Sequence, residues 1–215
     1  ELKLMRAAAA IAVEAHRAAW QVARGGTHEY EVEAELLRAI RRHGAVASFA
    51  PTVAGGVNAC VMHYRANRAP LRDGDLLLID AGAEMDGYAS DISRTFPLNG
   101  RYSTAQRALY DVVLAAQQAA IATVRPGQPG NAAHAAAVQV LTEGLCRLGL
   151  LKGDADAAVA SGSYRRFFPA KTGHWLGLDV HDVGDYRVGG DSRLLEPGMV
   201  LTVEPGLYGA PDDLS

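Results

Sequence analysis

The sequence is short of cysteine, of aromatic residues and of long apolar runs. It contains two cysteines, Cys60 and Cys146, among 215 residues, and 7% of its residues are aromatic. Two cysteines do not form a disulfide framework in a chain of this size, and they weakly favour a reducing cytoplasm. No apolar run approaches the roughly 18 residues that a membrane-spanning helix needs. We therefore expect a cytoplasmic protein with no membrane partner.

An excess of positive charge is also lacking. The chain has 21 Lys and Arg against 24 Asp and Glu, which gives a formal net charge of −3. Domains that bind nucleic acids usually carry a basic excess or a basic stripe, so we expect no nucleic-acid partner. The apolar fraction of 49% and the charged fraction of 21% are close to the averages of globular domains. They argue against a disordered chain, a collagen-like repeat and a coiled coil.

Helices and strands are predicted in blocks rather than in alternation. In chain order, the patterns predict helices over 2–23 and 29–43, a strand over 76–80, a hairpin over 81–96 that turns at Asp86-Gly87, helices over 103–124 and 130–148, and an extended segment over 167–208. This order indicates an α+β protein rather than a series of βα units.

A weak internal repeat relates two of these segments. Residues 71–82 align without gaps with residues 195–206, and each copy is a glycine turn, an apolar run and a carboxylate followed two residues later by glycine. Any buried strand after a glycine turn can look like this. The alternative is two related half-domains that place Asp80 and Glu204 at equivalent ends of equivalent strands.

A second carboxylate is predicted to lie near Asp80. If the hairpin has a two-residue loop, Asp80 and Asp91 share one face, directly opposed or diagonal, with Cβ atoms about 5 to 8 Å apart. A shift of one residue in register would put them on opposite faces. Two like charges at this distance repel, which predicts a metal ion between them or one raised pKa. The alternative is a pair of exposed polar residues on the outer face of a hairpin.

Glu204 and His174 complete a candidate set of metal ligands. Three carboxylates and one imidazole suit Mn, Fe, Co or Zn better than Ca, and a shared carboxylate suits a two-metal site. Two divalent cations about 3.5–4 Å apart would activate a water molecule and polarise a carbonyl group, which is the chemistry of hydrolysis.

Four stretches of the sequence strongly resemble the metallopeptidases of the "pita-bread" fold. They are Leu77–Gly82, Gly87–Pro97, His174–Gly184 and Val203–Tyr208. Within that family the chain is most similar to the Xaa-Pro aminopeptidases, and next to the Xaa-Pro dipeptidases, or prolidases. The resemblance covers essentially the whole chain. It implies an α+β pita-bread fold with two pseudo-symmetric halves.

The resemblance also implies roles for the candidate ligands. Asp80 matches the carboxylate that binds one metal, and Asp91 matches the one that bridges both. His174 matches the single histidine ligand, and Glu204 matches the first of two glutamate ligands. The implied cofactor is a pair of divalent ions, Mn²⁺ first, with Zn²⁺, Co²⁺ or Fe²⁺ as alternatives.

Three further residues are implied to contact the substrate, a peptide with proline in second position. His63 matches a histidine near the scissile bond that aids proton transfer or positions the substrate. His181 matches a histidine that contacts the substrate carbonyl. Tyr208, at the end of the last matching stretch, is expected to line the substrate site.

The sequence departs from the family pattern at two places. Four residues before the ligand histidine the family usually has another histidine that contacts substrate, and here that position is Ala170. The second glutamate ligand is expected beyond residue 215. Residues 1–215 are therefore expected to form most of a catalytic domain, incomplete at its C-terminus and without the N-terminal domain of the full protein. One source of the missing strand is the remainder of the same polypeptide. Relatives are commonly homodimers or homotetramers.

Three alternatives to an Xaa-Pro aminopeptidase stay open. The first is a dipeptidase of the same family. The second is a catalytically impaired pita-bread domain that serves as a binding module, which Ala170 favours and the four intact ligands oppose. The third, a creatinase-like hydrolase of C–N bonds, is weaker because those relatives lack the full set of metal ligands.

Overall fold

The computed structural model describes residues 1–209 of the chain. Its helices are α1 (Leu2–Val22), α2 (Glu29–Arg42), α3 (Thr104–Thr123), α4 (Ala132–Arg147) and α5 (Ala155–Ser161), with 3₁₀ turns at Gly56–Cys60 and Ser163–Arg166. Its strands are β1 (Val46–Ala47), β2 (Thr52–Gly55), β3 (Leu76–Ala81), β4 (Ala83–Met85), β5 (Tyr88–Ala89), β6 (Ile92–Pro97), β7 (Arg187–Val188) and β8 (Asp191–Ser192). The four long predicted helices are confirmed to within a few residues. The short helix α5 was not predicted.

The chain divides into two compact units. The first contains Glu1–Ser103 and Leu176–Asp182, and the second contains Thr104–Trp175 and the described residues from Val183 onward. No helix among residues 1–209 is both long enough and apolar enough to span a membrane.

In the first unit, helices α1 and α2 pack together and cover the strands. α1 buries a stripe of alanines, and at the start of α2 the Glu31 carboxylate accepts a 2.6 Å hydrogen bond from the His28 N–H, as in a capping box. Small side chains on α1 allow close packing against the larger apolar residues of α2 and β3. Those fully buried residues are Val32, Leu36, Ile40, Leu77 and Ile79.

The strands of this unit are built around one long antiparallel hairpin. Its turn is Asp86-Gly87, with φ of 50° and 84°, and Met85 pairs with Tyr88. Positive φ at both central residues is the signature of the type I′ turn, so the predicted two-residue loop is confirmed. The same register continues through β3 and β6, where Asp80 faces Ser93, and β2 adds to the other edge of β3.

In the second unit, α3 and α4 pack together in a similar way. Gly144 on α4 lies against Val112 on α3, and a Cβ atom at Gly144 would come within 2.3 Å of the Val112 side chain. A glycine is therefore needed for this close approach. The buried cluster around Val112 includes Leu141 and Phe168.

The segment predicted to be extended over 167–208 forms little regular sheet in the described residues. Strands β7 and β8 are two residues each, and Trp175 and Leu201 form an isolated antiparallel bridge. A strand is stabilised by its neighbours. Residues 201–204, which align in sequence with part of β3, form a short backbone ladder with 172–175. The expected second strand equivalent to β3 is thus present only as this short ladder.

The ladder nevertheless repeats one feature of the first unit. The N–H of Glu204 donates to the carbonyl of Thr172 at 2.7 Å, so a threonine faces Glu204 across the ladder. In the first unit Thr52 pairs with Asp80 in the same way. Together with the two helix pairs, this agreement supports two related halves of the α+β fold.

Candidate metal centre

Asp80 lies near the end of the central strand β3, with a hydroxyl-bearing residue on either side. Thr52 of β2 and Ser93 of β6 are its pairing partners. The hydroxyl of Ser93 donates to Oδ1 of Asp80 at 2.9 Å. Asp80 is half-buried, whereas its chain neighbours Ile79 and Ala81 point into the core. The carboxylate thus faces away from the apolar side of the sheet in a fixed orientation.

Asp91 lies on the same face of the hairpin as Asp80. It precedes Ser93 by two residues, and alternate residues of a strand share a face. Because Ser93 pairs with Asp80, Asp91 is the diagonal neighbour of Asp80, one of the two arrangements that the sequence predicts. The predicted register of the hairpin is confirmed, and the role of the two carboxylates stays a prediction.

Gly82 allows the two strands of the hairpin to approach closely next to Asp91. A Cβ atom at Gly82 would lie 1.7 Å from the carbonyl oxygen of Ser90. The same carbonyl accepts a 2.7 Å hydrogen bond from the Ser48 hydroxyl, and the Gly82 carbonyl accepts from the Ser48 N–H at 3.1 Å. Any side chain at position 82 would push these strands apart and displace Asp91.

His174 and Glu204 form the second pair of candidate ligands. Nε2 of His174 lies 3.0 Å from Oε1 of Glu204. Thr202 contacts both residues, because its Oγ1 accepts from the His174 N–H at 3.0 Å and donates to Oε1 of Glu204 at 2.7 Å. The ladder between 172–175 and 201–204 therefore places the imidazole and the carboxylate side by side.

The hydrogen bonds of His174 give a test of whether this pair suits a metal. Nδ1 lies 2.9 Å from the carbonyl oxygen of Trp175, which can only accept, so Nδ1 carries the proton. In the neutral imidazole Nε2 then presents a lone pair to a carboxylate oxygen 3.0 Å away. Two electron-pair donors at this distance need a proton or a cation next to them. Metal-binding histidines usually donate their other ring N–H to a carbonyl or carboxylate in this way, so the donor set fits a divalent metal.

The residues expected to contact substrate occupy three different settings. His63 lies in an exposed turn after the 3₁₀ segment Gly56–Cys60, with φ of 54°. His181 is exposed in the Leu176–Asp182 segment. Tyr208 is half-buried, and its N–H donates to the carbonyl of Phe167 at 2.8 Å. Their predicted contacts with substrate stay predictions.

Ala170 is half-buried and packs against the apolar cluster around Val112. Two residues further along, Thr172 is buried and its Oγ1 lies 2.9 Å from Nδ1 of His134. Burial, followed by the positive charges of Arg165 and Lys171, lowers the pKa of His134 below its ordinary value. A neutral imidazole therefore supports the backbone that leads to His174.

Sequence reasoning missed the residues that orient the candidate ligands. Ser93 and Thr202 each lie two residues from a candidate ligand, Asp91 and Glu204, and so share its strand face. The spacing of two residues from a candidate ligand is the sequence signal that could have identified Ser93 and Thr202. The fully buried carboxylate Glu29 was missed as well, and no pattern in its helix distinguishes it.

Comparison with known proteins supports the resemblance. The model of metallopeptidase family M24 matches residues 3–214. The chain is 49% identical over 214 residues to the Xaa-Pro aminopeptidases of Escherichia coli (strain K12) and of Haemophilus influenzae, which is 99% of this chain but 48% and 49% of theirs. The chain thus spans about half the length of the curated relatives it matches.

Solved structures give the same result. The structure of Pseudomonas aeruginosa aminopeptidase PepP superimposes with a TM-score of 0.98 at 55% identity, over 99% of this chain and 48% of that one. A Zn-substituted E. coli aminopeptidase P in complex with product superimposes with a TM-score of 0.95 at 48% identity, over 99% of this chain and 48% of that one. The expected pita-bread fold is confirmed.

Proposed function

Because the chain belongs to metallopeptidase family M24, we propose that it is the greater part of the catalytic domain of an Xaa-Pro aminopeptidase. The proposed reaction is hydrolysis of the peptide bond between an N-terminal residue and a following proline. The identity of 49% to two Xaa-Pro aminopeptidases over 99% of this chain supports this substrate class.

The observation that carries the proposal is the pairing of His174 with Glu204. Nε2 lies 3.0 Å from a carboxylate oxygen, and Nδ1 lies 2.9 Å from the carbonyl oxygen of Trp175, so a cation bound between Nε2 and the carboxylate would find both donors in place. We propose that these two residues, with Asp80 and Asp91, are metal ligands, as the resemblance implies. A second glutamate ligand is proposed beyond residue 215, outside the described residues.

Divalent cations bound by these groups would supply Lewis acidity that polarises the scissile carbonyl and lowers the pKa of the attacking water. The residues of this chain hold and orient the metal ligands and the substrate. Ser93 fixes the Asp80 carboxylate, and Thr202 holds both His174 and Glu204. His63 is proposed to hold or move a proton near the scissile bond, and His181 to donate a hydrogen bond to the substrate carbonyl. Tyr208 is proposed to line the substrate site.

The same resemblance supports our proposals about the finer features of the protein. They are Mn²⁺ as the native metal, two ions per site, a homodimer or homotetramer, a cytoplasmic location, an additional N-terminal domain, and a C-terminal remainder of the same polypeptide that completes the ligand set.

The test uses the protein in its full natural length. After removal of metal with a chelator, Mn²⁺ is titrated back while binding is followed by calorimetry and hydrolysis by release of the N-terminal residue. We expect about two ions per site and cleavage of an Xaa-Pro-Yaa tripeptide only when metal is present. Full hydrolysis by metal-free protein would contradict the proposal.

Two further outcomes distinguish the alternatives. Preference for an Xaa-Pro dipeptide over the tripeptide would identify a prolidase. Failure to bind metal at saturating Mn²⁺ would identify a binding module, since the four candidate ligands would then be unused.

A further inference from the structure

One fully buried carboxylate has no role in the proposed reaction. Glu29, the first residue of α2, has 0% of its surface exposed. Leaving a carboxylate out of water is costly unless its oxygens accept hydrogen bonds, so a buried glutamate needs a set of donors. Its position at the first turn of a helix is favourable, because the N-terminus of a helix carries a partial positive charge.

Four donors surround Glu29, two on each oxygen. Oε1 accepts from the N–H of Gly55 at 2.9 Å and from Nδ2 of Asn58 at 3.0 Å. Oε2 accepts from the hydroxyl of Tyr64 at 2.8 Å and from the N–H of Ala69 at 2.9 Å. These donors are the last residue of β2 and three residues of the connection between β2 and β3. One carboxylate thus binds several points of this connection. Within the described residues, the only regular element of the connection is the 3₁₀ turn Gly56–Cys60.

The connection held by Glu29 is the one that carries His63. The backbone of His63 has φ of 54°, in the left-handed region that is unfavourable for a residue with a side chain. Such a conformation persists only where neighbouring groups impose it. The residue that follows, Tyr64, supplies those constraints.

Tyr64 is held through three of its groups. Its N–H donates to the carbonyl of Val61 at 3.2 Å, its carbonyl accepts from the Thr52 hydroxyl at 2.9 Å, and its own hydroxyl donates to Glu29. Burial, followed by the hydrogen bond to Glu29, raises the pKa of Tyr64, so the phenol stays protonated and remains a donor. The Tyr64 side chain therefore connects α2 to the turn that contains His63.

The same set of contacts connects His63 with the hairpin of the candidate ligands. Thr52, whose hydroxyl holds the Tyr64 carbonyl, pairs directly with Asp80 in the sheet. The path from Asp80 to His63 thus consists of one strand pairing, one hydrogen bond and one peptide bond. A change in the Tyr64 anchor would move His63 relative to Asp80.

We infer that Glu29 is a positioning residue: through the hydroxyl of Tyr64 it holds the left-handed turn that presents His63 beside the Asp80 strand. The inference rests on the proposed function, in which His63 acts near the scissile bond. Glu29 itself contacts neither metal nor substrate.

The variant Tyr64→Phe tests the inference, because it removes one hydroxyl and keeps the ring. We expect kcat for an Xaa-Pro-Yaa tripeptide to fall about tenfold, the equivalent of one lost hydrogen bond, with Mn²⁺ affinity unchanged. Glu29→Gln is expected to act in the same direction, since its amide N–H would face the Ala69 N–H. Glu35→Gln, which changes a half-buried glutamate that pairs with Arg38 on the same helix, is the matched control and keeps wild-type kcat.

A double-mutant cycle separates positioning from general destabilisation. If Tyr64→Phe acts through His63, it costs nothing further in a His63→Ala background. Equal fold losses in both backgrounds would overturn the inference. Amide hydrogen exchange of residues 61–69 gives a readout that does not depend on activity, and we expect faster exchange in Tyr64→Phe but not in Glu35→Gln. Unchanged exchange would also overturn it, whereas inactive wild-type protein with a normal exchange difference would contradict only the proposed function.

Discussion

Ser93 faces Asp80 across strands β3 and β6, and its hydroxyl donates a 2.9 Å hydrogen bond to Oδ1 of the carboxylate. This contact fixes the rotation of the carboxylate about its Cβ–Cγ bond. Residues that orient metal ligands in this way usually affect metal affinity by about 10- to 100-fold. Ser93 is therefore part of the candidate metal centre without being a candidate ligand.

The variant Ser93→Ala is expected to weaken Mn²⁺ binding by about tenfold, the lower end of the range for such residues. The Asp80 carboxylate would keep its charge but lose its fixed orientation. Calorimetric titration of chelator-treated protein measures the change. Ser161→Ala removes a hydroxyl that donates to the Ala158 carbonyl in α5, and it should leave the affinity unchanged. Equal affinities of Ser93→Ala and wild type would show that Ser93 has no such role.

Thr202 is expected to have a larger effect, because its hydroxyl contacts both members of the second pair. In Thr202→Val the N–H of His174 loses its acceptor and Oε1 of Glu204 loses its donor. We expect Mn²⁺ affinity to fall by about 10- to 100-fold. Thr202→Ser keeps the hydroxyl and should retain most of the affinity. A valine variant that binds metal as tightly as the serine variant would contradict this role.

The hairpin of the first unit was predictable because local chemistry determines it. Asp and Gly tolerate positive φ at the two central positions of a type I′ turn, and this turn fixes the register on both sides. Once the register is known, the spacing of two between Asp91 and Ser93 places both on the face of Asp80. The register that makes Asp80 and Asp91 diagonal neighbours follows from that one turn.

Other features depend on contacts distant in sequence and could not be predicted. Glu29 lies in a helix with Glu31, Glu33 and Glu35, and nothing in that pattern indicates that Glu29 alone of the four is fully buried. Its donors are 26 to 40 residues away along the chain. Similarly, the apolar pattern of 167–208 predicts extended backbone, but strand formation requires a neighbouring strand, and the described residues of this segment form only short ladders.

His16 makes the stability of the protein depend on pH. Burial, the largest influence, and the charge of Arg94 lower its pKa below the ordinary value of 6.5, although the hydrogen bond from Nδ1 to the Ala12 carbonyl favours the charged form. The unfolded chain therefore binds more protons than the folded chain as pH falls below 6.5. The contribution of the neutral His16 to the free energy of unfolding is fully present above pH 6.5. It decreases as pH falls from there towards the lowered pKa of the folded state.

The variant His16→Leu should reduce this pH dependence. We expect a smaller loss of unfolding free energy between pH 7.5 and pH 5.5 than in wild type, measured by urea denaturation at both values. Val13→Leu, at an exposed position of the same helix, should keep the wild-type dependence. Identical pH dependence in His16→Leu and wild type would contradict the lowered pKa.

Ala170 offers no hydrogen-bonding side chain at the position where the resemblance implies a substrate-binding histidine. Since Ala170 is half-buried against the cluster that contains Val112 and Phe168, an imidazole there would have apolar support on one side. We expect Ala170→His to raise kcat/KM for an Xaa-Pro-Yaa tripeptide by about tenfold, the value of one hydrogen bond to substrate, with Mn²⁺ affinity unchanged. Ala170→Leu adds bulk without a donor and should give no increase. A gain in the leucine variant, or none in the histidine variant, would mean that this chain binds its substrate without a group at position 170.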